Sequence, residues 1–198
     1  MQQPVGVILA GGQATRMGGG DKARLMLGGQ SLLARVRDRL EPQVAALALN
    51  ANGDADRFAD TGLPVVGDSV AGFAGPLAGV LAGLDWAAGQ GAVHVVSVAA
   101  DTPFFPCDLV PRLMMAAGPS GLALAATPRG DGHPGLHPTF GLWPVSLRDD
   151  LRAALEAGTR KVLAWTDRHD AGVATWPDEA AFFNVNTPQD LATAEQMI

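Results

Sequence analysis

The sequence predicts an α/β protein with a mostly parallel sheet and helices on both faces of that sheet. Short apolar runs rich in branched residues alternate with amphipathic segments along the 198 residues. This alternation is typical of parallel βαβ units. Several apolar runs contain no regular polar positions, as expected for strands that are buried on both faces. No repeat, linker or low-complexity tract interrupts the pattern, so we expect one domain over residues 1–198.

The predicted strands are apolar runs, most of which stop at glycine, asparagine, aspartate or proline. They fall at 5–10, 44–49, 63–66, 93–98, 122–126, 140–143, 171–176 and 182–185. The run at 93–98 is the most apolar of them, and 171–176 has the character of an edge strand. The segment 129–135 is predicted to be a loop.

The predicted helices are recognised by apolar periodicity and by their end signals. They fall at 32–40, 55–59, 76–88, 109–117, 147–157, 162–166 and 188–197. Ser31, Asp108, Ser146 and Thr187 are the expected N-caps. Pro76 and Pro188 suit the first helical position, and Gly158 is expected to end its helix.

Composition narrows the class of protein. Apolar residues make up 47% of the chain and charged residues 17%, with a net charge of −6, which argues against a nucleic-acid backbone as the main partner. Cys107 is the only cysteine, so neither an intrachain disulfide nor a cysteine metal cluster can form. No apolar stretch reaches the 18 residues of a membrane span, and the N-terminus lacks the basic start of a signal peptide. We therefore expect a cytoplasmic protein with no membrane partner.

A glycine-rich segment follows the first predicted strand directly. Five glycines lie between Gly11 and Gly20, with Arg16 inside the segment and Lys22 just after it. Glycines allow backbone N–H groups to cluster around an anion, and an adjacent Arg and Lys favour phosphate. Neither the Walker P-loop nor the dinucleotide G-x-G-x-x-G pattern is present in this segment. The alternative is a surface turn, but the strand before it and the basic residues favour phosphate binding.

Polar residues also follow three later strands. Asn50, Asp68 and Asp101 each come just after an apolar run. Because ligands of open α/β sheets bind beyond the carboxyl ends of the strands, these residues and the glycine-rich segment are expected to face one crevice. Taken singly, Asp68 could equally be a turn former or cap. For Asp101, next to Thr102-Pro103, its place in such a fold favours a functional role over a turn or cap. A lone carboxylate such as Asp101 suits Mg²⁺ together with phosphate oxygens, and Asn50 can both donate to and accept from a ribose or base.

Other motifs carry less weight. Gly130, Gly132 and Gly135 match G-x-G-x-x-G but precede prolines instead of a helix. His133 and His137 have no third metal ligand nearby in sequence. Cys107 lacks a histidine partner for nucleophilic catalysis.

Motifs along nearly the whole chain together resemble the molybdenum cofactor guanylyltransferases, the MobA family. They are Leu9-Ala10-Gly11-Gly12 with Arg16-Met17-Gly18 and Asp21-Lys22, Asn50-Ala51-Asn52, Asp68-Ser69, Gly75-Pro76-Leu77-Ala78-Gly79, Asp101-Thr102-Pro103, His137-Pro138-Thr139 and Asn184-Val185-Asn186-Thr187-Pro188. The first and third are shared with sister nucleotidyltransferases, whereas the G-P-L-A-G and N-V-N-T-P segments are more discriminating. The resemblance implies a Rossmann-like nucleotidyltransferase sandwich.

The resemblance also implies a reaction and a set of roles. GTP and a molybdopterin-type cofactor would give the guanine dinucleotide cofactor and pyrophosphate. Residues 1–105 would bind nucleotide and Mg²⁺, and residues 106–198 would face the pterin. The resemblance implies catalysis by Lys22, Arg16 and Asp101, with Mg²⁺ on Asp101. It implies that GTP is bound by Leu9, Ala10, Gly11, Gly12, Lys22, Asn50, Asp68 and Asp101. It implies pterin contacts by His137, Asn184 and Asn186.

Three alternatives remain open at this point. A cytidylyltransferase would keep the glycine-rich segment and the cofactor but use CTP, although the G-P-L-A-G segment favours GTP. A sugar-phosphate nucleotidyltransferase fits the motifs less well. A carrier that binds GTP or molybdopterin without catalysis would have little need for Lys22 and Asp101. Transient docking to proteins that mature molybdoenzymes is a further expectation, because the product is labile.

Overall fold

A seven-stranded sheet forms the centre of the molecule in the computed structural model, which describes residues 2–11, 22–70, 72, 75–130 and 132–198. The strands are β1 (Val5–Leu9), β2 (Met26–Leu27), β3 (Gln30–Ser31), β4 (Leu47–Asn50), β5 (Val65–Val66), β6 (His94–Ala99), β7 (Ala123–Pro128), β8 (Pro134–Pro144) and β9 (Gly172–Thr175). The helices are α1 (Leu32–Leu40), α2 (Pro76–Gly89), α3 (Leu109–Ala116), α4 (Arg148–Glu156), α5 (Val162–Thr166) and α6 (Pro188–Glu195).

The large sheet is mostly parallel. Its strand order is β5-β4-β1-β6-β8-β7-β9, and β2 and β3 form a separate hairpin. Strand β8 pairs antiparallel with both β6 and β7, while the remaining pairs in the sheet are parallel. The predicted α/β class with a mostly parallel sheet is therefore confirmed.

Two apolar layers cover the faces of the sheet. In β1, Ile8 belongs to the layer under α1 and α3, whereas its neighbour Val7 belongs to the layer under α2, α4 and α5. Both side chains are fully buried. Because successive side chains of a strand point to opposite faces, an uninterrupted apolar run is what a strand between two helical layers requires. The prediction of helices on both faces is confirmed.

Strand β8 is longer than the predicted run at 140–143. It starts at Pro134, within the segment predicted to be a loop. Its pairing with β7 shifts abruptly, because Leu124 pairs with Gly141 whereas Ala125 pairs with His137. The three residues between these pairing positions, 138–140, form a β-bulge. Bulges of this kind redirect side chains, and the alternation of apolar residues does not reveal them.

Buried hydrogen bonds hold this bulge against β6. Ser97 is fully buried, and its hydroxyl donates to the Thr139 carbonyl at 2.8 Å. The indole N–H of Trp143, which is also buried, donates to the same hydroxyl at 2.8 Å. One hydroxyl therefore satisfies the buried Trp143 indole and the partly buried Thr139 carbonyl.

Ser97→Ala is expected to destabilise the fold. The change leaves the Trp143 N–H and the Thr139 carbonyl without their partner, at a cost of about 1–3 kcal/mol for a buried group. Denaturant unfolding of both proteins measures the difference. The matched control is Ser146→Ala, at an exposed serine, which should change the free energy of unfolding by less than about 0.5 kcal/mol. Equal stability of Ser97→Ala and Ser146→Ala would contradict this account.

Some sequence predictions are wrong. Residues 182–185 are not a strand: a 3-10 turn covers Glu179–Phe182, and Val185 N–H donates instead to the Asp101 carbonyl at 2.9 Å. Local β-propensity is overridden there because the chain crosses the end of the sheet. Ser146 is not an N-cap, since it lies within a 3-10 turn, Val145–Leu147, that precedes α4.

The predicted caps Ser31 and Thr187 are confirmed, whereas Asp108 is confirmed in its position only. Ser31 accepts a hydrogen bond from the Ala34 N–H at the start of α1. Thr187 caps α6 as part of a capping box with Asp190. Asp108 stands at the N-cap position of α3 but makes no side-chain cap, because its carboxylate accepts from the Trp176 indole at 2.8 Å.

The β2–β3 hairpin was not predicted. Gly28 and Gly29 occupy its two-residue turn with φ of +55° and +81°, values that glycine adopts readily in such turns. Among the helices described, none is both long and apolar enough to cross a membrane.

Candidate active site

A cavity of about 780 Å³ lies beyond the carboxyl ends of the parallel strands. Its size is within the range of small-molecule sites. It is lined by Leu9, Ala10, Gly11, Lys22, Ala23, Asn50, Asn52, Asp68, Val70, Gly72, Gly75, Pro76, Ala99, Ala100, Asp101, Thr139 and Asn184. The fold therefore brings residues from β1, β4, β6 and β8 and from both ends of the chain to one place.

Lys22 and Asp101 form an ion pair on the cavity wall. The Lys22 ammonium lies 2.6 Å from Asp101 Oδ2, and the two side chains are 18% and 28% exposed. Asp101 follows β6, which is anchored beside β1 where the Ala100 N–H donates to the Leu9 carbonyl at 3.1 Å. A lysine beside a carboxylate can bind a triphosphate together with its metal ion: the ammonium contacts phosphate oxygens and the carboxylate contacts the metal ion.

Asn50 and Asp68 are joined by a network on the opposite side of the cavity. The Asn50 amide donates to Asp68 Oδ1 at 3.0 Å and to the Val66 carbonyl at 3.1 Å. Asn52 donates to Asp68 Oδ2 at 2.7 Å and accepts from the Asp68 N–H at 2.8 Å. Three of these hydrogen bonds therefore tie Asp68, in the loop after β5, to Asn50 and Asn52 at the end of β4, and the fourth reaches Val66 within β5.

This network changes the role expected of Asn50. The side chain is only 2% exposed, and both protons of its amide are donated within the protein. It can offer a ligand only its carbonyl oxygen, whereas the sequence suggested both a donor and an acceptor. Asn50 also acts on the cavity indirectly by holding the Asp68 carboxylate in place.

Gly79 makes this arrangement sterically feasible. A Cβ at this position of α2 would lie 2.3 Å from Asn50 Oδ1 and 2.9 Å from Leu9 Cδ2. The absence of a side chain lets the helix approach the buried amide. The group that Gly79 accommodates is therefore the side chain of Asn50.

Asn184 and Asn186 lie beside the charged pair. The Lys22 ammonium donates to Asn186 Oδ1 at 2.5 Å. The Thr102 hydroxyl, which is fully buried, donates to Asn184 Oδ1. Asn184 lines the cavity, and Asn186 is not among the lining residues described.

His137 and Thr139 both lie in β8, but only Thr139 is among the residues described as lining the cavity. The His137 ring stacks on Phe182 at a centroid distance of 4.2 Å, and its Nε2 is 3.0 Å from Thr127 Oγ1. Burial lowers the pKa of His137, with a smaller opposing effect from Glu179, so the imidazole is neutral at pH 7. A neutral, stacked ring is a poor phosphate anchor, and the H-P-T residue that reaches the cavity is Thr139.

Two of the predicted site residues, Gly12 and Arg16, lie outside the described residues. The remaining predicted GTP-binding residues and Asn184 line the cavity together. The sequence alone suggested no binding or catalytic role for several lining residues, among them Asn52, Val70, Pro76 and Thr139. Three of these residues, Asn52, Pro76 and Thr139, belong to the N-A-N, G-P-L-A-G and H-P-T motifs. The motifs therefore pointed to the site, but a binding role was assigned to another residue of the motif or to none.

Two carboxylates, Asp68 and Asp101, line the described cavity, and their number and surroundings decide which metal ion would fit there. No cluster of three or more His, Cys, Asp or Glu side chains suited to a metal is found among the described residues. Asp101 lies next to Lys22, whereas the Asp68 carboxylate accepts from Asn50 and Asn52. Mg²⁺ typically takes one or two carboxylates and completes its shell with substrate phosphates and water, so the residues present fit Mg²⁺ bound together with a nucleotide.

The fold and this site define the class of nucleotidyltransferases. Residues 6–172 match the model of the MobA-like NTP transferase domain. The chain belongs to that family.

Relatives cover nearly the whole chain. A protein of Bradyrhizobium sp. (strain ORS 278) named molybdenum cofactor guanylyltransferase is 54% identical, over 97% of this chain and 92% of its own. A protein of the same name from Cereibacter sphaeroides is 51% identical, over 98% and 96%. The crystal structure of molybdopterin-guanine dinucleotide biosynthesis protein A from Archaeoglobus fulgidus superposes with a TM-score of 0.73 at 25% identity, covering 98% of this chain and 97% of its own.

Proposed function

We propose that this protein transfers GMP from GTP to the terminal phosphate of a molybdopterin-type cofactor and releases pyrophosphate. The observation that carries the proposal is the Lys22–Asp101 pair on the wall of the cavity. It occurs in a chain 54% identical to a protein named molybdenum cofactor guanylyltransferase. The cofactor phosphate would attack the α-phosphorus of GTP as the bond to the β-phosphate oxygen breaks.

The chemistry needs little from the protein beyond positioning and charge. A phosphate monoester is largely ionised at pH 7, since its second pKa is about 6, so the nucleophile requires no general base. The Lys22 ammonium would offset charge that builds on the triphosphate. Mg²⁺ held by Asp101 would neutralise further phosphate charge. In-line geometry would come from the walls of the cavity.

The two halves of the chain would divide the substrates. Residues 1–105 would bind GTP, with Leu9, Ala10 and Gly11 beside the nucleotide and the Asn50–Asp68 network holding the nucleoside. Residues 106–198 would face the molybdopterin. Thr139 and Asn184, which line the cavity from that half, support this division. Docking to molybdoenzyme maturation proteins and a cytoplasmic location stay predictions from the sequence.

Pyrophosphate release is expected with GTP, and CTP should be used at least about tenfold less well, which corresponds to roughly 1.4 kcal/mol of discrimination. The assay contains purified protein, Mg²⁺, molybdopterin-type cofactor and one nucleotide. The GTP preference is supported by the names of the relatives.

Each other outcome of this assay changes the proposal differently. Release with CTP alone would replace GTP as the substrate while keeping the reaction. GTP binding without release would favour the carrier instead. A parallel reaction without the cofactor is the control, because pyrophosphate released there reports hydrolysis and not transfer.

A further inference from the structure

The segment 184–187 is attached to both charged residues of the site. Val185, fully buried, donates its N–H to the Asp101 carbonyl at 2.9 Å. Asn184 accepts from the Thr102 hydroxyl, which also lies 3.2 Å from Asp101 Oδ1. Asn186 accepts from Lys22 at 2.5 Å. The end of the chain therefore contacts the reacting centre through main chain and side chains.

The Lys22 ammonium is held between two acceptors. Asp101 Oδ2 lies 2.6 Å from it and Asn186 Oδ1 lies 2.5 Å from it. A lysine side chain has a flexible stem and three donors, so two fixed acceptors restrict where its charge sits. If Asp101 turns to a metal ion, the amide of Asn186 still offers the ammonium a neutral acceptor.

Asn186 is itself fixed from behind by the start of α6. Asp190 Oδ2 accepts from the Asn186 N–H at 2.9 Å and from the Thr187 N–H at 2.8 Å. The Asn186 N–H is the largest of the effects that lower the pKa of Asp190, and the Lys22 charge adds to it. Asp190 therefore remains a carboxylate at neutral pH, and the capping box sets the backbone from which the Asn186 amide reaches Lys22.

We propose that Asn186 is a positioning residue for Lys22, fixed by Asp190, and not a contact to the second substrate. This rests on the proposed function and gives Asn186 a different role from the pterin contact that the family resemblance implied. Its absence from the described cavity lining and its hydrogen bond to Lys22 both support the assignment. Asn184, which lines the cavity, retains access to a substrate.

A double-mutant cycle with Lys22→Ala, Asn186→Ala and the double variant tests the assignment. The first readout is GTP affinity, measured by calorimetry without the second substrate. Misplacing a charged group by about 1 Å can cost up to about 100-fold in rate, so we expect Asn186→Ala to lower kcat by about 10- to 100-fold. GTP affinity should weaken as well. In the Lys22→Ala background the same change should have almost no further effect on either quantity, since groups that act as a unit are non-additive.

The second readout is KM for the molybdopterin-type cofactor. Asn186→Ala should leave this KM within about twofold, because KM rises when a contact that binds the substrate is lost and Asn186 makes no such contact in this proposal. The matched control is Gln189→Ala, at an exposed amide in the first turn of α6, which should change none of these quantities. Thermal unfolding of each variant verifies that it is folded. A large rise in the cofactor KM, or effects of the two changes that multiply, would overturn the proposal.

The affinity cycle separates this proposal from the proposed function. If the wild-type protein binds GTP but transfers no GMP, the function is rejected while the coupling between Lys22 and Asn186 in GTP binding is still measured. If transfer occurs and the two residues are energetically independent, only the positioning role is rejected.

Discussion

Asp101→Asn is expected to reduce GMP transfer by about 100- to 1,000-fold, the size of effect seen when one preorganised electrostatic group is removed, while leaving the fold intact. The amide has the same shape as the carboxylate, and its oxygen can still accept from Lys22, 2.6 Å away. The backbone contacts of Asp101 to Val185 are unchanged by the substitution. Only the negative charge is lost, and with it the group that would hold Mg²⁺.

Pyrophosphate release at several Mg²⁺ concentrations measures this effect. Higher Mg²⁺ should restore part of the activity if the carboxylate holds the ion. Asp167→Asn is the control, because Asp167 is an exposed carboxylate in a 3-10 turn away from the cavity lining. Wild-type turnover by a folded Asp101→Asn protein would reject the metal-binding role.

Gly79→Ala is expected to weaken GTP binding by about tenfold or more, since the Asn50 network that it displaces contains hydrogen bonds worth about 1 kcal/mol each. The new Cβ would sit 2.3 Å from Asn50 Oδ1. Asn50 cannot turn away cheaply, because it is buried and both its amide protons are donated to Val66 and Asp68. Either the amide rotates and releases Asp68, or α2 moves away from the cavity.

The control for Gly79→Ala lies in the same helix. A Cβ at Gly89, the last residue of α2, would meet nothing within 4 Å. Gly89→Ala should therefore leave GTP affinity unchanged and should change the free energy of unfolding by less than about 1 kcal/mol, because the full glycine penalty applies only within a helix. Calorimetric titration with GTP and thermal unfolding of both variants give the comparison. Unchanged GTP affinity in Gly79→Ala would show that the Asn50–Asp68 network does not contribute to nucleotide binding.

Both changes act on the walls of one cavity from different sides. Asp101 lies with Lys22 and the segment 184–187, whereas Gly79 lies behind the Asn50–Asp68 network. We therefore expect Asp101→Asn to act mainly on kcat and Gly79→Ala mainly on GTP affinity. Measuring kcat and the KM for GTP of both variants distinguishes the roles of the two sides of the cavity.

Local sequence patterns were sufficient to predict most of the helices and strands of the fold. An apolar run such as 5–10 can be stable only between two layers, and the structure buries Val5, Val7 and Ile8 in this way. End signals such as Ser31 and Thr187 act within one helical turn, and both were predicted correctly. The failures were Ser146, the β2–β3 hairpin, the start of β8 within the predicted loop, and residues 182–185. The last of these is decided by the contact between Val185 and Asp101.

The candidate site could be predicted in its composition but not in its contacts. Residues that follow parallel strands must meet at one edge of a sheet, which is why Asn50, Asp68 and Asp101 were expected to face one crevice. The bulge at 138–140 directs Thr139 into the cavity wall and leaves His137 stacked on Phe182. A bulge depends on register with the neighbouring strand, so a single strand's sequence does not contain it.

By itself, the sequence determined the α/β class, the sheet edge where the site lies and the charged residues on it, because these follow from short-range periodicity and strand order. Only the tertiary structure decided which residues hold those charges in place. Asn186 lies 164 positions from Lys22 in the chain and contacts it, and Gly79 accommodates Asn50 across the interface between helix and sheet. The physical reason is that such contacts depend on packing between segments that are distant in sequence, whereas local propensity describes only neighbouring residues.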